Sequence, residues 1–274
     1  MNYRLSPAHN LYANIGGGLE APAGNETDPA STFGQDTVTA INPLLDAIRS
    51  TTYELGTRRL IAFGDDSPLK SASYDAAFYL TNVANEIIPY RGGRFYFSAG
   101  AVRRSGAEFG ATLAGAGSTE IRGSASWSRN RYMRYTIDSV HYGRPGAIAD
   151  YSGNHVAGVP AIHYTATVSR PVGKNSPARV ELSVRGVGDY FIDDANSIEV
   201  AGYKTFGATV SSIRALAMGR VGLRGFVAIE NITHRRFIGS AFVNPDVVNG
   251  EPVAFEPGTP RSLVISLSVE TLPR

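Results

Sequence analysis

The chain has 274 residues, 26 Lys and Arg against 24 Asp and Glu, 30 Gly and no Cys. Zero Cys excludes disulfides and thiolate metal sites, and a formal net charge of +2 with no basic run speaks against nucleic acid as a partner. No apolar run reaches the roughly eighteen residues of a transmembrane helix, but a membrane β-barrel hides its apolar surface in alternation, so a mean hydropathy of -0.11 does not exclude one.

The N-terminus, Met1 to Tyr12, has no basic segment followed by an apolar one, so no signal peptide is predicted. Met1 to Leu5 is predicted as the tail of a strand, turned at Ser6-Pro7 into a first full strand, Asn10 to Ile15, which Gly16-Gly17-Gly18 ends. A segment rich in Pro, Gly, Asn, Asp and Thr follows to about Ser50, and weak helical periodicity predicts a helical turn within Asp36 to Arg49. The second strand is Thr52 to Phe63. The third, Ser73 to Asn85, sets Tyr74, Ala76, Phe78 and Leu80 against Asp75, Ala77, Tyr79 and Thr81. Pro89 to Gly93 turns the chain into a long fourth strand, Arg94 to Leu113, in which Gly100 and Gly106 mark bulges or close approach. The fifth is Thr119 to Arg129, and a long loop runs from Asn130 to about Pro160.

The sixth strand, Ala161 to Arg170, alternates Ile162, Tyr164, Ala166 and Val168 with His163, Thr165, Thr167 and Ser169. The seventh, Ala178 to Val187, sets Val180, Leu182 and Val184 against Glu181, Ser183 and Arg185. The eighth is about Tyr203 to Ile213. In the last third, Leu223, Gly225, Val227 and Ile229 share one side of the ninth strand, and Leu263, Ile265, Leu267 and Val269 one side of the tenth.

The pattern is therefore all-β: about ten antiparallel, hairpin-linked strands, mostly longer than the five or six residues usual in soluble sheets. Connections one, five and nine are long and seven is moderate, whereas two, four, six and eight are short; connection three, also short, breaks the alternation. Short turns on one rim and long loops on the other are the habit of outer-membrane barrels. Asp75, Arg122, His163, Glu181, Arg185 and Glu230 then face an aqueous lumen, and Tyr12, Tyr53, Tyr74, Trp127 and Tyr164 are candidates for interfacial girdles.

Several segments, in order, resemble the β-barrel of TonB-dependent outer-membrane receptors. They are Asn10 to Glu26, Thr52-Tyr-Glu-Leu-Gly-Thr-Arg58, Tyr74 to Ile88, Ala99 to Glu108, Gly153-Asn-His-Val-Ala-Gly-Val-Pro160, Asn231-Ile-Thr-His-Arg-Arg-Phe237 and Phe255-Glu-Pro-Gly-Thr-Pro-Arg261. Iron-complex receptors are the most similar type. The resemblance implies an up-and-down transmembrane barrel of 22 strands around an N-terminal plug. This chain resembles only the C-terminal portion of that barrel, as one unit over 1–274, without plug, TonB-contacting box or signal peptide, and so is expected to be a fragment or truncated product. It implies an outer-membrane location, lipid and lipopolysaccharide as surroundings, an iron-chelate ligand such as a ferric siderophore, and contact with the TonB complex only through the plug. The family's terminal aromatic is replaced by Thr271-Leu-Pro-Arg274. Ten strands of so wide a barrel are expected to leave an open curved sheet with two unpaired edges. The alternative is a self-contained small barrel acting as a passive pore.

No catalytic constellation or cofactor motif stands out. His9, His141, His155, His163 and His234 are scattered, and Gly16-Gly17-Gly18 is followed by no Lys-Ser/Thr. Asp193-Asp194 is read as a solvated pair in a loop, with a cation site as the alternative. Arg129, Arg131, Tyr132, Arg134, Tyr135, His141, Tyr142 and Arg144, in or beside the long loop, offer bidentate donors and stacking surfaces suited to an anionic, aromatic iron chelate, or equally to lipopolysaccharide.

Overall fold

The computed structural model describes residues 1–23, 45–90, 95–137, 148–173, 176–241, 247–248, 251–252 and 255–271. One twelve-stranded antiparallel sheet dominates. Eleven of its strands follow one another in sequence and in space: β1 (Asn2–Ser6), β2 (His9–Glu20), β3 (Ile48–Ala62), β4 (Leu69–Tyr90), β5 (Phe95–Gly115), β6 (Glu120–Arg134), β7 (Ile162–Pro171), β8 (Ala178–Val187), β9 (Tyr203–Ser212), β10 (Val221–Glu230) and β11 (Ser262–Thr271). The twelfth, Leu216–Met218, pairs with the start of β10 in the turn from β9. Among the described residues β1 pairs only with β2 and β11 only with β10, so the sheet is open, as expected.

The connections sort by rim. The strand ends Glu20 and Ile48, Arg134 and Ile162, Val187 and Tyr203, and Glu230 and Ser262 lie at one end of the sheet; residues 7–8, 63–68, 116–119 and 213–220, with the strand ends Pro171 and Ala178, lie at the other. The short third connection has a structural reason. β4 and β5, of 22 and 21 residues, are much the longest strands, so the missing loop is replaced by a projecting hairpin. The register runs unbroken from Ala84↔Ala101 to Glu86↔Ala99, with Asn85 between them at a φ of 59°.

Cross-strand register shows two chemically distinct faces. One row runs Asn10↔Arg58↔Asp75↔Gly110↔Ser124↔Thr165↔Arg185↔Thr205 and is polar throughout. On the other face, Leu55↔Phe78↔Ala107↔Trp127↔Ile162 and Ile121↔Val168↔Leu182↔Ala208↔Ile229↔Leu263 are apolar throughout. Leu182 is 52% exposed, Ile265 67% and Leu267 70%. The buried hydrophobics among the described residues are Leu45, Val83, Val102, Tyr132, Tyr135, Val187, Ile192 and Val200, and none of the strand members lies on the apolar face. Nothing among the described residues covers that face, and an apolar surface spanning nine strands, β3 to β11, far exceeds the few hundred Å² that a soluble monomer shows.

Three expectations are corrected. Ile48 and Arg49 begin β3 and Leu45–Ala47 is not helical, so the helical turn fails at that end; residues 36–44 lie outside the described residues. Asn130–Arg134 continue β6 rather than opening a loop, because residues 154–156 hydrogen-bond alongside. Tyr12 shares the polar face with Asn10 and lies over Gly56, where any Cβ would sit 2.3 Å from its ring, so it joins no outward girdle. Tyr53, Tyr74, Trp127 and Tyr164 share the apolar face.

Candidate ligand-facing surface and loop clasp

The polar face forms a groove of about 640 Å³ between β4 and β8, lined by Asp75, Glu108, Ser126, His163, Thr165 and Arg185 among others. Asp75 lies across Gly110, the glycine opposite it on β5; a Cβ there would approach its Oδ1 to 2.9 Å. Ser124 and Thr165 share a hydroxyl hydrogen bond of 2.9 Å. Arg185 also borders a second groove, of about 340 Å³, that contains Glu230 and Asn231. Asp75, His163 and Arg185 are thus brought together, and Glu230 joins through Arg185. Arg122 lies nearer the short-turn rim, paired to Glu120 at 2.7 Å, and Glu181 lies opposite Ser169 and Thr209.

At the long-loop rim the polar face is capped. Val83, Val102, Tyr132 and Tyr135 form a small core with Ile48, Tyr151 and Val156 against it. Tyr132 and Tyr135, 3% and 1% exposed, donate their hydroxyls to the two oxygens of Asp194 at 2.6 and 2.8 Å. Asn154 donates to the Asp194 carbonyl at 2.8 Å, and Asn196 exchanges hydrogen bonds with the His155 backbone at 2.7 and 3.0 Å. Residues 148–160 and 188–202 are therefore clasped into one unit. Burial, with Asp194 adjacent, pushes the Tyr135 hydroxyl well above its usual range, so it is a fixed donor. Burial and the nearby Arg131 and Arg129 hold His155 below its usual value, which matches its neutral role as acceptor of an Arg131 hydrogen bond at 3.2 Å.

The residues grouped in sequence as one ligand loop therefore separate. Tyr132 and Tyr135 are engaged in the clasp. Arg129 and Arg131 share the apolar face's side of β6, Arg129 two residues above Trp127 and Arg131 opposite Arg103. Arg134 lies across Gly100. His141, Tyr142 and Arg144 lie outside the described residues. The Asp193-Asp194 pair is half-buried and engaged rather than simply solvated: Asp193 accepts from Ser197 N, Ser197 Oγ and Ile198 N, closing the turn that presents Asp194. Among the described residues no three His, Asp or Glu side chains form a metal cluster.

The turn after β10 has the same logic. Buried Asn231, at φ 47°, accepts from Arg235 N at 2.9 Å and donates to the Arg235 and Thr259 carbonyls at 2.8 and 3.1 Å. Phe237 stacks on Tyr203 at 3.9 Å and covers Gly258. These contacts give a physical reason for Asn231, Phe237 and Gly258 in the last two motifs. Sequence reasoning missed Asp194, Asn196 and Asn231 as organisers; the available signal was the turn-forming habit of Asp and Asn.

A family model described as "TonB dependent receptor-like, beta-barrel" matches residues 1–226. Among solved structures, the chain is similar to the ferric yersiniabactin uptake receptor FyuA from Yersinia pestis, at 18% identity and TM-score 0.67, over 97% of this chain and 35% of that one. It is also similar to the siderophore receptor PiuA from Acinetobacter baumannii, at 17% identity and TM-score 0.69, over 98% and 34%. The copper transporter OprC matches at 15% identity and TM-score 0.65, over 98% and 38%. The chain thus spans little more than a third of the structures it matches.

Proposed function

We propose that this chain, which belongs to the TonB-dependent receptor-like β-barrel family, builds the C-terminal portion of an outer-membrane transporter that takes up a scarce ligand, a ferric siderophore or a related metal chelate. The observation that carries this reading is the division of the sheet: a continuous exposed apolar face beside a continuous polar one. In a bilayer the first meets lipid and the second lines an aqueous passage, with the long loops outside the cell. Asp75, His163, Arg185 and Glu230 line that passage, and the clasped loops narrow its outer mouth. The TonB complex, acting through the plug of such a transporter, would energise release. FyuA is a ferric yersiniabactin uptake receptor, PiuA a siderophore receptor and OprC a copper transporter, which supports a metal-bearing ligand for this chain.

The passive-pore alternative meets a topological obstacle. Eleven successive antiparallel strands leave β1 and β11 running the same way, so closing them on each other requires a parallel seam, against the even-stranded, all-antiparallel habit of such barrels. Both edges instead suit antiparallel strands from elsewhere in a larger barrel.

The test is uptake by metal-starved cells in which the gene is disrupted and then restored. Loss of accumulation of at least one radiolabelled metal chelate, recovered on restoration, is expected. Unchanged uptake of ferric and copper chelates, or a gene product found outside the outer-membrane fraction, would overturn the proposal.

A further inference from the structure

The turn after β10 borders a cavity of about 530 Å³ at the long-loop rim, between Ala201-Gly202 and the segment that follows Arg235. Its walls come from segments that are each pinned. The Asn231 side chain binds both the N–H and the carbonyl of Arg235. Ile238–Ala241 pairs with Phe255–Pro257, and Gly258 donates its N–H to the Phe237 carbonyl at 2.8 Å. Gly202 donates its N–H to Asp189 at 2.6 Å. The Phe237 ring, held between Tyr203 and Gly258, borders both this cavity and the separate groove that contains Arg185 and Glu230.

Three charged residues line the cavity, Arg235, Arg236 and Glu256, beside apolar surface from Phe237, Phe255 and Pro257. Opposite charges on one wall have every reason to pair, yet these do not. The ion pairs among the described residues are Arg104–Glu86, Arg122–Glu120 and Arg224–Glu270, so neither arginine is closed onto Glu256. Neither guanidinium donates a hydrogen bond among the described residues; Arg235 enters the Asn231 turn through its backbone alone. A pinned backbone that carries uncommitted charges is prepared for a ligand, because the cost of ordering the chain is met before binding.

We propose that this cavity binds an amino-acid-type zwitterion, a short peptide with free termini and an apolar side chain. Arg235 and Arg236 take the carboxylate, which guanidinium groups grip in bidentate pairs. Glu256 takes the ammonium, and Phe237, Phe255 and Pro257 take the side chain. The volume falls within the range of small-molecule sites, about 300–1,000 Å³. The wall charges select against the alternatives. A polyanion meets Glu256 as well as the arginines, a cation meets two arginines, and a wholly apolar ligand takes three charges out of water without pairing them. A ligand that carries both signs and an apolar portion satisfies every group. The site is separate from the metal-chelate passage proposed above, and either can fail without the other.

The experiment is calorimetric titration of the protein, extracted from its own membrane in detergent, with four probes: the dipeptide leucyl-phenylalanine, its N-acetylated form, its C-terminal amide, and citrate. The free dipeptide is expected to bind, and each blocked form to bind at least tenfold more weakly, about 1.4 kcal/mol per tenfold. Two variants assign the charges. R235Q/R236Q is expected to erase the difference between the acid and the amide while keeping that between the free and the acetylated amine. Glu256→Gln is expected to do the reverse. A variant that merely misfolds loses both differences together, so the crossed pattern reads the site and not the fold. Blocked forms that bind as tightly as the free dipeptide, citrate that binds more tightly than it, or no binding of any probe overturns the proposal.

Discussion

At Asp194 one carboxylate holds two tyrosine hydroxyls that have left water, and this residue carries the clasp between two loops. Asp194→Ala removes the carboxylate that accepts from both buried hydroxyls, at about 1–3 kcal/mol for the loss at Tyr132. Residues 148–160 and 188–202 should then become accessible to limited proteolysis while the strands remain protected; unchanged protection would contradict the role given to Asp194. His155 makes the clasp pH-sensitive. Its folded value lies below the ordinary 6.5, for burial first and then Arg131 and Arg129. Above 6.5 the ring is neutral whether the loop is docked or free, and docking is undiminished. As pH falls below 6.5 the undocked ring takes up a proton that the docked ring resists, so docking weakens until the folded value is passed. Amide hydrogen exchange at 153–158 should therefore speed up on acidification beyond the change in intrinsic rate, and His155→Gln should flatten that response.

Within one strand, alternation decides which substitutions the sheet tolerates. In β8, Leu182 and Ser183 are neighbours in sequence and opposites in surroundings. Leu182→Arg puts a charge on the lipid side and should lower stability in bilayers by about 2–4 kcal/mol near the midplane, whereas Ser183→Arg, on the aqueous side, should change it little. Equal effects, measured by denaturant unfolding from vesicles, would contradict the assignment of faces. This part of the fold was legible in the sequence because a period of two depends only on near neighbours. The rim was not. The clasp joins residues about 40 to 60 positions apart, Asn154 and His155 to Asp194 and Asn196, and Tyr132 and Tyr135 to Asp194. Local pattern carries no trace of such pairings, so Arg129 to Tyr135 read as one ligand loop although the strand sends Tyr132 and Arg129 to opposite faces. Tyr12 misled for a smaller reason: an aromatic on a strand is ambiguous until the strand's polar side is known.

For the molecule as a whole, the central claim is that one face of the sheet meets lipid and the other water. The chain contains no Cys, so single cysteines can be introduced without background. The decisive measurement places a fluorophore in turn at positions 180 to 185 of β8, which is paired on both sides by β7 and β9. Quenching is then read in vesicles by brominated lipid tails and by aqueous iodide. The account predicts strict alternation: Val180, Leu182 and Val184 quenched by lipid, and Arg179-side neighbours Glu181, Ser183 and Arg185 by iodide. Uniform quenching along the strand, or the opposite phase, would contradict it.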